Sequence, residues 1–199
     1  LDTQRRPGGR SARVREAVLD ATTAELADGG YQNLTVEGVA QRAGVHKTTV
    51  YRRWRDPAGL VADALDRSAG QAWPIPDTGS LAGDLRALTE LLRVGFTDPG
   101  TGPVAKAFVA AGMQHPDTAA ALRAFYTARH GEAAVIVDRA VARGELAAGV
   151  DAAEVIRFAL APVFHRLFVT HEEVTPADAR CAADAAVAVA RAWGSPPSE

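Results

Sequence analysis

A single cysteine, Cys181, stands in the 199 residues, so no internal disulfide can form, and the chain fits a reducing cytoplasm. Cys181 itself reads as a small buried apolar side chain, with a redox switch or an intersubunit bond as the alternative. No apolar run approaches the roughly 20 residues that cross a bilayer and no secretory leader is evident, which leaves no membrane partner. Period-2 alternation is missing too, as are internal repeats, so a sheet is excluded and the fold class is all-α. No metal-ligand spacing, nucleophile motif or phosphate-binding loop appears, and no metal, cofactor or catalytic residue is assigned. Neither sign of charge dominates: a net charge of -2 and a pI near 6.2 argue against a chain that coats nucleic acid along its whole surface. The charge is nevertheless uneven, with a balance of +3 through Asp56 and -5 beyond it.

What is present concentrates in residues 35–54, TVEGVAQRAGVHKTTVYRRW. Val36, Val39, Ala40 and Ala43 recur at helical spacing, and Thr35 stands before them as an N-cap whose hydroxyl accepts an orphan backbone N–H. Gly44 supplies the positive φ of a tight turn, Val45 drops back toward the core, and a second helix follows. Val50 and Trp54 face inward at i and i+4, leaving His46, Lys47, Thr48, Thr49, Arg52 and Arg53 outside. This layout predicts a helix-turn-helix whose second helix enters the major groove of DNA. Lysine and arginine bond guanine edges there, and threonine offers a hydroxyl and a methyl. Tyr51 has two readings, an aromatic packing partner or a hydroxyl bonded to phosphate.

Around this segment the pattern is helical throughout. Residues 1–10, with Arg5, Arg6 and Arg10, read as a flexible basic arm that either follows the DNA or idles. A helix over 11–28 braces the reader and ends at Gly29-Gly30, completing a DNA-binding domain over 11–55. Asp56-Pro57 caps and opens a connecting helix, and the proline- and glycine-rich stretch 70–79 closes a connector over 56–79. Helices are expected over 80–96, 102–114, 116–143, 151–171 and 176–193, within a C-terminal ligand-binding and dimerisation domain over 80–194 and before a tail over 195–199. Pro162 should kink the fourth of these.

The last two helices are apolar on most of their surface, which predicts a homodimer closed by a four-helix seam that includes Val163, Phe164, Leu167, Cys181, Val187 and Arg191. His165 and Arg166 are either satisfied in that seam or face a ligand. A ligand pocket between helices would draw on Phe96, Phe108, Met113, His115, Phe125, Tyr126 and His165, although side chains of these types are mostly core.

The chain resembles the TetR family of transcriptional regulators. The resemblance rests on Thr35-Val36, Val39-Ala40, Ala43-Gly44-Val45, Thr49-Val50-Tyr51, Trp54 and Leu60, then on ARGEL at 142–146 and APVFHRL at 161–167, and so covers nearly the whole chain. It implies a dimeric repressor on a palindromic double-stranded operator, released when a small molecule enters the C-terminal domain. By the same resemblance Lys47, Thr48, Thr49 and Arg52 meet base edges, while Thr35, Tyr51 and Arg53 meet phosphates. Two residues depart from the family pattern. His46 replaces the usual serine or threonine cap, exchanging it for a pH-sensitive contact, and Pro57 replaces a lysine that often touches phosphate. Near-neutral charge and apolar helices point to an uncharged or weakly polar effector. A second reading keeps the DNA reader but gives the C-terminal domain only dimerisation or a protein partner. A third is a helical enzyme, with His115, His130, His165 and Glu132 as the available acids and bases.

Overall fold

The structure, a computed structural model, describes residues 9–71 and 73–193, which contain helices and no strand. The elements in chain order are α1 (Gly9–Gly29), α2 (Val36–Arg42), α3 (Lys47–Trp54), α4 (Pro57–Ala69), α5 (Leu81–Thr97), α6 (Gly102–Gln114), α7 (Pro116–Ala133), α8 (Val135–Ala142), α9 (Ala152–His165) and α10 (Pro176–Trp193). The tail and most of the basic arm lie outside the described residues; Gly9 and Arg10 already belong to α1. No helix among the described residues is long and apolar enough to cross a membrane.

Two compact units form. The first holds residues 9–71 with Pro99–Phe125. Its core is built from one stripe of each helix: Val18, Leu19 and Leu26 of α1, Val39 of α2, Val50 of α3, and Leu60, Val61 and Leu65 of α4 are fully buried. Ala107 and Ala111 of α6 belong to the same cluster, with Phe108, Leu122 and Phe125 packed against it. Residues 99–125, expected from the sequence in the C-terminal domain, therefore fold with the N-terminal unit. Helical spacing reveals which residues share a face, and it leaves open which neighbour that face meets.

The second unit holds residues 73–98 and 126–193 around Leu81, Leu85 and Leu88 of α5, Ile136 of α8, Ile156 of α9, and Ala183 and Ala186 of α10, with Trp73 and Ile75 of the connector against them. The start of α5 is fastened by charge. Ser80 Oγ accepts from the Gly83 N–H, and the fully buried Asp84 accepts from the Thr78 N–H at 2.5 Å and its hydroxyl at 2.8 Å. Glu145 accepts from the Leu81 N–H at 2.9 Å while Arg143 donates to Glu145 at 2.6 Å. The charged residues of the ARGEL stretch thus clasp a helix N-terminus.

The expected helix over 116–143 is two helices, α7 and α8. They meet at Ala134, which keeps helical angles but bonds to both His130 O and Gly131 O, a tightened turn with no proline or glycine at its centre to announce it. The helix expected over 151–171 ends its α-helical part at His165 and continues as a wide π-turn over Arg166–Thr170, stopped by His171 at φ 53°. The irregularity falls one turn after Pro162, which removes one backbone donor from the ladder.

The outer faces also differ from expectation. Cys181 is exposed in the protomer, because α10 turns Ala179, Ala182, Ala183, Ala186 and Ala190 inward and places residue 181 off that stripe. Val163 and Val187, assigned to the seam, are buried in the protomer's own core, and Phe164 packs among its aromatic rings. Leu167 is partly buried and Arg191 exposed. Arg166 is satisfied within the protomer, by Glu172 and by Asp178 at 3.5 Å.

Candidate nucleic-acid interface

Local rules place the reader. Thr35 Oγ1 accepts from the Gly38 N–H at 3.0 Å and caps α2, Gly44 takes φ 66°, and the Val45 N–H returns to Ala40 O at 3.0 Å. Arg42 then ties α2 to α1 through Glu25 at 2.7 Å and Asp28 at 2.5 Å. On α3, Val50 is fully buried and Trp54 is 6% exposed. His46, Lys47, Thr48, Tyr51, Arg52 and Arg53 are exposed and Thr49 half-buried. His46 occupies the N-cap without a side-chain cap bond; its Nδ1 instead shares a hydrogen bond of 2.9 Å with Thr48 Oγ1. Helix α3 therefore starts without a side-chain cap, and its Thr49 N–H returns to His46 O at 2.8 Å.

Two carboxylates organise this surface, and sequence reasoning singled out neither. Asp63, on α4, accepts from Trp54 Nε1 at 2.8 Å and from Arg15 Nε at 3.1 Å, and a second Arg15 nitrogen bonds its other oxygen. Arg53 stands 4.0 Å from the same carboxylate and lies over the Trp54 ring at 5.2 Å. Burial pushes the Asp63 carboxyl up, but the bonds from Arg15 and Trp54 and the charges of Arg15 and Arg53 outweigh it and hold the group below its ordinary value. One side chain thus locks α1, α3 and α4 together. Its signal in sequence is slight: Asp63 stands beside the apolar stripe of α4, three positions after the buried Leu60, and nothing within helical reach of it announces a partner on α1 or α3.

The second carboxylate is Glu37, on α2, which accepts the Tyr51 hydroxyl at 2.9 Å. That bond, a backbone bond and the Lys47 charge lower the Glu37 carboxyl, and the same hydroxyl bond raises the Tyr51 phenol. Tyr51 was expected to pack or to bond phosphate. Its single proton is committed to Glu37 instead, and the hydroxyl must leave the carboxylate before it can donate to a phosphate. Glu37→Gln should keep an acceptor for Tyr51 while deleting a negative charge beside Lys47. DNA affinity is expected to rise roughly twofold to fivefold on any sequence, the scale of an exposed charge interaction. Anisotropy titrations on specific and random duplexes would measure this; a loss of affinity would mean that the carboxylate acts mainly by holding Tyr51 in place.

The joint between α3 and α4 is tight. The Asp56 N–H donates to Trp54 O at 2.6 Å across Arg55, whose φ of 60° and ψ of -48° form a three-residue γ-turn strained for a non-glycine residue. Asp56 caps α4 by accepting from the Gly59 N–H at 2.9 Å, with Pro57 at the first helical position. A Cβ on Gly59 would collide with the Trp54 carbonyl oxygen. Pro57 thus serves the helix start.

The candidate ligand residues divide between the units. Phe108 and Phe125 pack against the first core, Met113 is 69% exposed and His115 is partly buried at the end of α6. In the second unit Phe96 meets Phe164 at 5.5 Å and Phe168 at 5.3 Å, and Tyr126 meets Phe164 at 5.3 Å. Of the seven, Phe96 and Tyr126 come together through the Phe164 ring; His165 is exposed. His130, read from the sequence as an available acid or base, lies 6.1 Å from the Tyr126 ring, and its buried Nε2 has no hydrogen-bond partner among the described residues. Burial, then the Arg157 charge, holds its imidazole below the ordinary value.

Comparisons with known proteins agree along the chain. The family described as "Bacterial regulatory proteins, tetR family" matches residues 18–64, and "Tetracyclin repressor-like, C-terminal domain" matches residues 75–186. The chain is 37% identical over 163 residues to the HTH-type transcriptional regulator AqdR of Rhodococcus erythropolis, covering 81% of this chain and 77% of that protein. Among solved structures, the TetR family transcription regulator SCO0332 superposes with a TM-score of 0.67 at 28% identity over 92% of this chain and 99% of that one. SmeT, solved as a complex with triclosan, shares the fold at 19% identity, with a TM-score of 0.60 over 88% and 90% of the two chains. These families and relatives are regulators, not enzymes.

Proposed function

Since this chain belongs to the TetR family and is a DNA-binding transcriptional regulator, we propose that it acts as a homodimeric repressor that grips a palindromic operator and leaves it when a small molecule binds in the second unit. The observation that carries the reading is the division of α3, with Val50 and Trp54 sealed in the core and an exposed polar and basic face opposite them. Lys47 and Thr48 are the side chains offered to base edges, while Thr35 and Arg53 are offered to phosphates. Dimerisation falls to the outer face of α9 and α10, where Phe158 is 40% exposed, Trp193 is 49% exposed, and the two rings stack edge to face at 6.2 Å. An exposed aromatic pair beside Ala161, Ala185 and Ala188, all solvent-facing, is the kind of apolar patch that a second copy covers.

The effector site is placed at the rings of Phe96, Tyr126, Phe164 and Phe168. The unpartnered His130 nitrogen beside Tyr126 supplies a polar anchor, which suits a weakly polar aromatic compound. Ligand and operator then favour different conformations and lower each other's affinity by the same factor. The test is selection of bound duplexes from a random pool, followed by a compound screen scored by release of the selected duplex. A pool that yields no common sequence would remove the specific-operator reading. Lys47→Ala should relax base preference at one position of each half-site and cost about 1 to 3 kcal/mol on the selected duplex. An equal loss on random DNA would reassign Lys47 to phosphate.

A further inference from the structure

Beside the exposed face of α3 lies a second feature, which takes in Arg53 and joins it to residues that these roles leave unused. The start of α1 and the C-terminal half of α3 border a cleft of about 380 Å³, with Ser11, Arg15, Thr49, Arg52 and Arg53 around a floor that includes Trp54. Its charges are unequally engaged. Arg15 is held by Asp63 and Glu16, and Arg53 is shared between Asp63 at 4.0 Å and the Trp54 ring. Arg52 makes no ion pair among the described residues, and the Ser11 and Thr49 hydroxyls make no hydrogen bond among them. Arg52 is therefore the guanidinium of the cleft left without an ion-pair partner among the described residues, and it stands with two free hydroxyl donors. A tetrahedral oxyanion matches such a set, with the arginine fork taking two of its oxygens and the hydroxyls another.

The length of α3 indicates where that oxyanion comes from. Eight residues at 1.5 Å each span about 12 Å, close to the width of the major groove. With Lys47 and Thr48 at its first turn among the bases, the last turn of α3 reaches the strand that flanks the groove. Resting on the reading of α3 as the DNA-contacting helix, we propose that the cleft seats one backbone phosphate of the bound duplex. Arg52 and Arg53 bind it with the Ser11 and Thr49 hydroxyls, so that Arg52 positions the DNA and does not read a base. The first turn of α1 thereby becomes part of the interface, and the contact area extends beyond the helix-turn-helix.

The experiment uses the full chain with three variants, Arg52→Ala, Arg52→Lys and Ser11→Asp. The probes are the selected duplex, a random duplex of equal length, and inorganic phosphate without DNA. Arg52 and Ser11 are exposed, so unchanged melting temperatures are expected for all three variants. Arg52→Ala should weaken both duplexes by the same factor, about tenfold, and flatten the dependence of log affinity on log salt by about one per protomer bound. Arg52→Lys, which keeps the charge and loses the fork, should retain the wild-type salt slope with a smaller loss. Ser11→Asp should weaken both duplexes at least as much as Arg52→Ala, because a carboxylate would occupy the seat. A loss confined to the selected duplex, with the salt slope unchanged, would make Arg52 a base reader and overturn the proposal. Millimolar binding of inorganic phosphate that Arg52→Ala abolishes, with DNA binding untouched, would overturn it in favour of a free anion. Failure of the wild-type chain to retain any duplex would remove both the proposal and the reading beneath it, whereas wild-type retention with all three variants unaffected removes the seat alone.

Discussion

Phe158→Asp is expected to turn the regulator into a monomer in solution and to lower its affinity for a full operator by about 100-fold to 10,000-fold, the range of avidity that linking two binding heads provides. The side chain is 40% exposed in the protomer and its ring meets that of the 49% exposed Trp193, so its loss should cost the folded protomer less than that of a core residue. In a two-fold seam, by contrast, each substitution acts twice, and an aspartate at position 158 brings a carboxylate from either side into an apolar contact. Sedimentation at micromolar concentration would show the change of mass, and titration against a duplex carrying one half-site would show unchanged binding by each head. A variant that sediments like the wild type and keeps full operator affinity would move the seam elsewhere. Cys181, exposed twelve residues before Trp193 on α10, would then be the next surface to probe.

The second large effect concerns Asp63. Replacing it by asparagine should cost about 2 to 3 kcal/mol of folding stability, the scale of hydrogen bonds to a charged group, because Arg15 loses its counterion and the Trp54 Nε1 bond becomes neutral. DNA affinity should fall with it, since the same carboxylate holds α3 against α1 and α4. The pH dependence follows from the direction of its shift. A carboxyl held below its unfolded value near 3.9 stabilises the fold fully above that value and loses the contribution as pH falls through the lower, folded value. Urea unfolding curves for wild type and variant should therefore stay separated by a constant gap from pH 7 to about 5. That gap should close as the pH falls below about 4. A gap that persists at pH 2.5 would mean that the loss comes from packing and not from charge.

These two residues mark what the sequence makes legible. The cap at Thr35, the turn at Gly44, the inward pair Val50 and Trp54 and the start at Asp56-Pro57 are local, and each is decided within four residues of itself. The all-α class follows from the same short-range periodicity. Asp63 draws its role from Arg15, 48 positions earlier, and Glu37 from Tyr51, 14 positions later, pairings that require the helices to be docked first. The same limit explains the inverted faces of α9 and α10. Alanine and valine cover so much of both helices that the pattern leaves the inward side undetermined, and the protomer took Val163 and Val187 for its own core. Phe108 and Phe125 show a related limit: aromatic residues at helical spacing pack against whichever layer lies nearest, and here that is the core of the first unit.

The joint between α3 and α4 has a mechanical consequence. With the Trp54 carbonyl seated where Gly59 has no side chain, and the strained γ-turn at Arg55 already closed by its hydrogen bond, there is no slack in which one helix could shift before the other follows. The pair behaves as a crank without backlash. A tilt of about 10° at the joint displaces the far end of an arm of about 12 Å by about 2 Å, several times the tolerance of a hydrogen bond to a base edge. A rotation of α4 that leaves its own packing intact would therefore carry the Lys47 end of α3 farther than a hydrogen bond to a base edge tolerates.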